Sequence, residues 1–324
     1  MKSIMKAVLA TSLVAVFAVP AVAQMKTVSI STIVEVPALN ETREGVIKAL
    51  AERGYVVGKN LIINYQNANG NMPTQQQIAK KFVGDGADVI VGITTPTSQA
   101  MLTATKDIPI IFATVTDPIK AKLISAYGKS GTNVAGVGDE APLPQQMALI
   151  KELVPGIKSL GYVYNPGLDN SLSTLEALKK LAAPMGITIV ESPAPTTNEV
   201  LLAAKKLVGK VQGIYVPNDT TVVPGLESIV KVGQETKTPI FAGETGAVDR
   251  GAVASVGLNY ADVGLLAGHM VADVLSGKKV GELESVQAFT KLPNFKVAIN
   301  KSAAAAMGVT IPDAVLKRAT QVIN

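Results

Sequence analysis

The sequence predicts an α/β protein of two tandem doubly wound units, each a parallel sheet flanked by helices. Three observations predict it. Short β-rich runs alternate with amphipathic stretches, the rhythm of a parallel sheet covered on both faces. That rhythm restarts near the middle of the chain. The length left after an N-terminal export segment, about 300 residues, suits two domains.

Taken in order, Val28–Ser31 reads as a strand and Pro37–Arg53 as a helix opened by Pro37 and stopped by Gly54. Strand Leu61–Gln66, helix Thr74–Val83, strand Val89–Ile93, helix Thr97–Thr105, strand Ile110–Thr114 and strand Val134–Val137 follow. The boundary falls near Gly138–Pro144, where Gly138, Pro142 and Pro144 suit a crossover. The second unit reads as helix Pro142–Leu153, strand Leu160–Tyr164, helix Ser171–Met185, strand Thr188–Glu191 and helix Asn198–Leu207. Strand Gly213–Val216, helix Val223–Thr236 and strands Ile240–Ala242 and Val253–Val256 complete it. A tail of helix Asp262–Leu275, strand Phe295–Ile299 and helix Ser302–Met307 is too short for a third domain. It is expected to complete the two sheets, which makes the chain cross between lobes more than once.

The first residues predict export. Lys2 and Lys6 precede the apolar stretch Ala7–Val19, and Ala21-Val22-Ala23 forms an A-x-A cleavage site before Gln24. The stretch is shorter than the roughly 20 residues that span a bilayer. The sequence contains no cysteine, so neither a lipid anchor just after the signal nor a disulfide is expected. The expected location is the free periplasm. Removing Lys2 and Lys6 takes the net charge from +5 to +3, and the charges are interspersed, with no basic stripe for nucleic acid.

In open parallel sheets, ligands bind beyond the carboxyl ends of the strands. Here those ends carry polar, helix-starting residues: Thr94-Thr95-Pro96-Thr97-Ser98, Thr116-Asp117, Asn165 with Asn170-Ser171, Asn218-Asp219-Thr220, and Glu244. A helix starting at Thr97 or Ser98 offers free backbone N–H groups to a carboxylate or phosphate. Ordinary capping explains any one such loop. Five loops from two facing lobes point to a shared cleft. Asp117, Asp139, Asp219 and Glu244 are candidate partners for an ammonium group.

Catalysis has little material. The one histidine, His269, falls inside a helical pattern, and with no cysteine and a single His, nucleophile–His dyads and multi-His metal sites have almost no material. Neither GxxxxGK[ST] nor GxGxxG occurs. No cofactor or metal is expected, and an exported enzyme on the same scaffold is the least supported reading.

The run Val34-Glu35-Val36-Pro37-Ala38-Leu39, then Asn64-Tyr65-Gln66-Asn67-Ala68, the Thr94–Gln99 loop and Val115-Thr116-Asp117-Pro118 form an ordered set. It continues with Tyr164-Asn165-Pro166-Gly167, Ile214–Val223 and Phe241-Ala242-Gly243-Glu244. The set resembles the ABC-transporter substrate-binding family whose characterised members take up tryptophan and other aromatic amino acids. The resemblance implies a type I periplasmic-binding-protein architecture, two Rossmann-like lobes joined by three crossovers. It implies a first lobe of residues 24–140 with about 260–288, and a second of 141–259 with about 289–324. It also implies an amino-acid-like ligand held by Glu35, Thr94, Thr95, Thr97, Ser98, Thr116, Asp117 and Asp139 from the first lobe and by Asn165, Asn170, Ser171, Asn218, Asp219, Thr220 and Glu244 from the second. The implied partner is an inner-membrane ABC permease, with the receptor a monomer. A sensor subunit that presents its ligand to a chemoreceptor or histidine kinase would use the same cleft. The sequence departs from the family pattern in lacking a lipobox cysteine and in placing Val36 where a His is expected after Glu35. Phe112, Tyr164, Tyr215 and Tyr260 are the aromatic residues nearest the expected cleft.

Overall fold

The structure is a computed structural model that describes residues 25–324; the export segment expected over residues 1–23 lies outside the described residues. The chain opens with β1 (Lys26–Thr32), α1 (Pro37–Glu52), β2 (Leu61–Asn67), α2 (Met72–Gly84), β3 (Val89–Ile93), α3 (Thr95–Ala104), β4 (Ile110–Val115), β5 (Gly128–Lys129) and β6 (Val134–Gly138). It continues with α4 (Leu143–Leu153), β7 (Ser159–Tyr164), α5 (Asp169–Ala182), β8 (Thr188–Pro193), α6 (Val200–Leu207), β9 (Ile214–Val216), α7 (Leu226–Thr236), β10 (Ile240–Ala242), the one-turn α8 (Gly246–Asp249) and β11 (Ala254–Gly257). The last part carries α9 (Tyr260–Leu275), β12 (Glu284–Gln287), α10 (Ala288–Lys291), β13 (Lys296–Asn300), α11 (Lys301–Ala306), α12 (Asp313–Arg318) and β14 (Gln321–Ile323).

These strands form two seven-stranded sheets, ordered β2-β1-β3-β4-β6-β12-β5 and β14-β13-β11-β10-β9-β7-β8. Pairing is parallel except where β5 meets β12 and where β13 meets β11. Every residue of β3 and β4 is buried, as expected of strands covered on both faces, so they read as unbroken apolar runs. Each sheet reverses its strand order at β1 or β7, which opens a crevice at the carboxyl ends of the strands.

The tail is shared between the sheets. Helix α9 returns from β11 to pack on α1, β12 joins the first sheet beside β6, and β13 with β14 joins the second beside β11. The α1–α9 contact depends on absent side chains. A Cβ on Gly264 would lie 2.1 Å from the Thr42 carbonyl oxygen, and one on Gly45 would lie 2.2 Å from that of Ala261. Close backbone approach at this crossing fixes the start of α9, and with it Tyr260.

The structure alters several sequence expectations. Helix α3 begins at Thr95, two residues earlier than expected, because Pro96 is tolerated in a first turn where its missing N–H has no partner to lose. Helix α5 likewise begins at Asp169, which brings Asn170 and Ser171 into its first turn. Strands β5, β12 and β14 and the short α8, α10 and α12 were not expected from the pattern, and β13 pairs antiparallel to β11.

Candidate functional site

Between the lobes lies a cavity with about 480 Å³ of space free of protein atoms, the solvent at its mouth included. The first lobe contributes Val34, Val36, Ala38 and Leu39 from the β1–α1 segment, Thr94 and Thr95 from the β3–α3 junction, Thr114 and Thr116 from the end of β4, and Asp139 after β6. Tyr260 closes one side. The second lobe contributes Asn170, Asn218, Asp219, Thr220, Val223 and Glu244. The walls divide by chemistry into an aliphatic face on α1 and a polar face of carboxyl and carboxamide groups.

Four acidic residues were candidate ammonium partners, and their hydrogen bonds separate them. Asp219 is fully engaged. Its Oδ1 accepts from the Thr221 and Val222 amides at 2.7 and 3.0 Å, and its Oδ2 from the Asn165 amide and the Ser171 hydroxyl, both at 2.7 Å. It organises the loop after β9 and has no oxygen to spare. Asp117 lies outside the cavity lining; it caps the Lys120 amide at 2.9 Å and accepts from Ser173 at 3.1 Å. Asp139 and Glu244 differ from these. Asp139 Oδ1 and Glu244 Oε1 are buried with no hydrogen-bond partner, and so are Asn170 Oδ1 and Asn218 Oδ1. The amide nitrogens of those two asparagines are already committed, donating to the Asn218 carbonyl and to the Tyr260 hydroxyl at 2.8 Å each.

Burial pushes the Asp139 carboxyl up to about 7, against hydrogen bonds from Tyr260 and Thr116 that favour its charged form. Burial likewise pushes Glu244 up to about 7, with only the Gly246 amide and the more distant Arg250 easing it. No Lys, Arg or His among the described residues lines the cavity. Unpartnered buried acceptors are costly, and four on residues lining one cavity call for a donor-rich group.

The opposite requirement is met at α3. Its first-turn amides have no intrahelical acceptor and carry the helix's partial positive charge. Thr94, just before it, has φ +88° and ψ +159°, a conformation that costs a β-branched residue about 1–3 kcal/mol. The Thr94 amide bond to Ala113 O at 3.0 Å and the contact of its hydroxyl with that of Thr97 hold it there. Thr114, also lining the cavity, has φ +55°. Two strained β-branched residues at one cavity mark it as a site where geometry outranks stability.

Six of the residues expected to touch ligand lie outside the lining. Thr97 and Ser98 fall inside α3 because the helix starts early, and the Ser98 hydroxyl donates back to Gly92 O and Thr94 O at 2.8 Å. Asn165 braces a turn, donating to Pro195 O at 3.1 Å and Thr221 Oγ1 at 2.8 Å. Ser171 serves Asp219. Glu35 is half exposed and accepts from the Tyr65 hydroxyl at 3.0 Å. Asp117 is the sixth. Val34, Ala38, Leu39, Thr114 and Val223 line the cavity without having been singled out; the run of small apolar residues before α1 was the available signal. Of the aromatic candidates, Tyr260 lines it, while Phe112 and Tyr215 are core residues and Tyr164 bonds Glu191 at 2.7 Å.

The family model for ABC transporter substrate-binding proteins matches residues 27–323. The chain belongs to that family. Its members are solute-binding proteins rather than enzymes, and the two lobes have the type I periplasmic-binding-protein architecture. The chain is 40% identical over 278 residues to a tyrosine-binding protein of Clostridioides difficile, covering 86% of this chain and 79% of that one. A Streptococcus pneumoniae ABC domain solved in complex with L-Trp superposes with TM-score 0.88 at 36% identity, covering 93% of this chain and all of that one. A ligand-free, open substrate-binding protein from Clostridium difficile has the same identity and coverage but TM-score 0.70.

In this family member, side chains cross the cleft. Gln99 Nε2 on α3 donates to Asp169 Oδ2 on α5 at 2.8 Å, Ser173 to Asp117 Oδ2 at 3.1 Å, and Lys120 to Glu176 at 2.7 Å. Asp169, Ser173 and Glu176 are spaced by four and three residues, one face of a helix. Among the described residues no helix is long and apolar enough to cross a membrane.

Proposed function

We propose that this protein is the periplasmic receptor of an ABC importer and closes its two lobes on an amino acid, with aromatic amino acids the favoured class. The four unpartnered acceptor oxygens on residues that line one cavity carry this reading: they suit an ammonium group, which a sugar or an inorganic anion lacks. The ligand carboxylate would sit at the start of α3 near Thr94 and Thr95, and the ammonium against Asp139 with Asn170 and Asn218 nearby. Thr116, Thr220 and Glu244 complete the polar wall. The side chain would lie along Val34, Val36, Ala38, Leu39 and Val223. An aromatic class is supported by the tyrosine-binding relative and by the L-Trp complex.

The closed arrangement agrees with this reading. At equal identity, the lobes superpose better on the ligand-holding relative than on the open one, and polar pairs bridge the cleft. The mature chain begins after about Ala23, acts as a monomer, and hands its ligand to a permease in the inner membrane. A thermal-shift panel tests the ligand class, because a binder raises Tm by mass action. L-tryptophan and L-tyrosine are expected to raise Tm, and glucose and ribose to leave it unchanged. A shift with the sugars alone would contradict the amino-acid reading.

A further inference from the structure

The cavity holds more acid than one amino acid can neutralise. Asp139 and Glu244 are both buried in it, each with one oxygen unpartnered, and no cationic side chain among the described residues lines it. A zwitterionic ligand brings one ammonium, but also a carboxylate of its own. We infer that closure on the ligand traps a proton on Glu244, while Asp139 stays ionised as the partner of the ammonium. This rests on the receptor reading above.

The surroundings separate the two carboxyls. Asp139 is reached by the Tyr260 hydroxyl from α9 at 3.3 Å, with Thr116 at the end of β4 and Asn218 after β9 alongside. Its titratable neighbours are phenols, Tyr260 and Tyr127, which stay neutral. These donors suit a carboxylate. Glu244 accepts one bond, from the Gly246 amide at 2.9 Å. Glu41 on α1 and Asp249 on α8 repel its charge, and Tyr260 faces it from α9. The one cation acting on it among the described residues, Arg250, is committed to Glu227 through two bonds of 2.8 Å. Fewer donors and two like charges make Glu244 the group that closure protonates.

In an open cleft, water solvates both carboxylates and both are ionised at neutral pH. Closure removes that water, and the carboxylate of Glu244 takes a proton from bulk solvent. The closed form is then favoured at acid pH and loses that advantage as pH rises through about 7, the value to which burial pushes Glu244. Affinity should fall by up to about tenfold per pH unit as pH rises from the ordinary glutamate range to that point, and level off above it.

Isothermal titration of the mature protein with L-tryptophan, in phosphate and in Tris buffer at pH 7, reads the proton directly. Enthalpies that differ between buffers in the sense of proton uptake are expected, with affinity at least about fivefold weaker at pH 8 than at pH 6. Glu244→Gln, which mimics the neutral form, should bind with a flat pH profile and with enthalpies that no longer differ between buffers. Asp139→Asn should lose at least about a hundredfold, while circular dichroism reports both variants folded. Buffer-independent enthalpies with a flat affinity would overturn the proposal. So would a Glu244→Gln variant as damaged as Asp139→Asn, since that would make Glu244 the ionised partner. Heat from no amino acid in either buffer would bring down the receptor reading and the trapped proton with it.

Discussion

Asp219 and Asp139 are both acidic, both buried and both at the carboxyl end of a strand, yet they do opposite jobs. Asp219 spends both oxygens on four donors of its own lobe. Removing it strands three amides and a hydroxyl at the cleft's edge. Asp219→Ala should therefore cost roughly 3 kcal/mol, seen as a lower urea midpoint with an unchanged slope. A loss below about 1 kcal/mol would mean the loop after β9 is held by something else. The sequence placed both acids at strand ends but could not sort them. Sorting depends on which loop amides turn back toward each carboxylate, and that is set by the loop's path. Thr94 has the same character: its sequence shows a cap-forming residue, and only the folded backbone shows that it is strained.

At the scale of elements, closure rests on α5 as much as on the cavity. The stripe Asp169, Ser173, Glu176 meets Gln99, Asp117 and Lys120 across the cleft without touching the space a ligand would fill. The contacts are not equal. The side chain of Glu176 is 71% exposed, so its pair with Lys120 is screened and contributes little. The partly buried Gln99–Asp169 bond to a charged acceptor is worth about 1–2 kcal/mol. Asp169→Ala should weaken ligand affinity by roughly three- to tenfold, chiefly through faster release in stopped-flow measurements, whereas Glu176→Ala should change it less than about twofold. Equal effects from the two would argue against a latch.

The elements differ in how plainly the sequence announced them. The buried strands β3 and β4 are unbroken apolar runs, and α1 has Pro37 at its start. β12 is four residues of Glu-Ser-Val-Gln, too short and polar to signal, and it forms a strand because β6 offers it an edge. Two residues of error at the start of α3 and α5 decided the roles of Thr97, Ser98, Asn170 and Ser171. A first turn tolerates proline and polar side chains alike, so composition marks its neighbourhood rather than its first residue.

As a whole molecule, the chain builds two sheets of the same winding and ties them together by exchanging its tail. The two carboxyl edges face each other, so strand-end residues far apart in sequence share one cavity. Each lobe keeps its own core, while polar pairs bridge the cleft between them. Lobes built this way can part without unfolding, with closure set by the few contacts that bridge them and by what fills the cavity. On the reading proposed above, the fill is an amino acid recognised through its ammonium group. Small-angle scattering tests it most directly, as the mature protein is titrated with L-tryptophan and, in parallel, with indole-3-propionate, which has the same ring and carboxylate but no amine. A saturable fall in radius of gyration is expected with L-tryptophan and none with indole-3-propionate. The same contraction with both, or with neither, would contradict it.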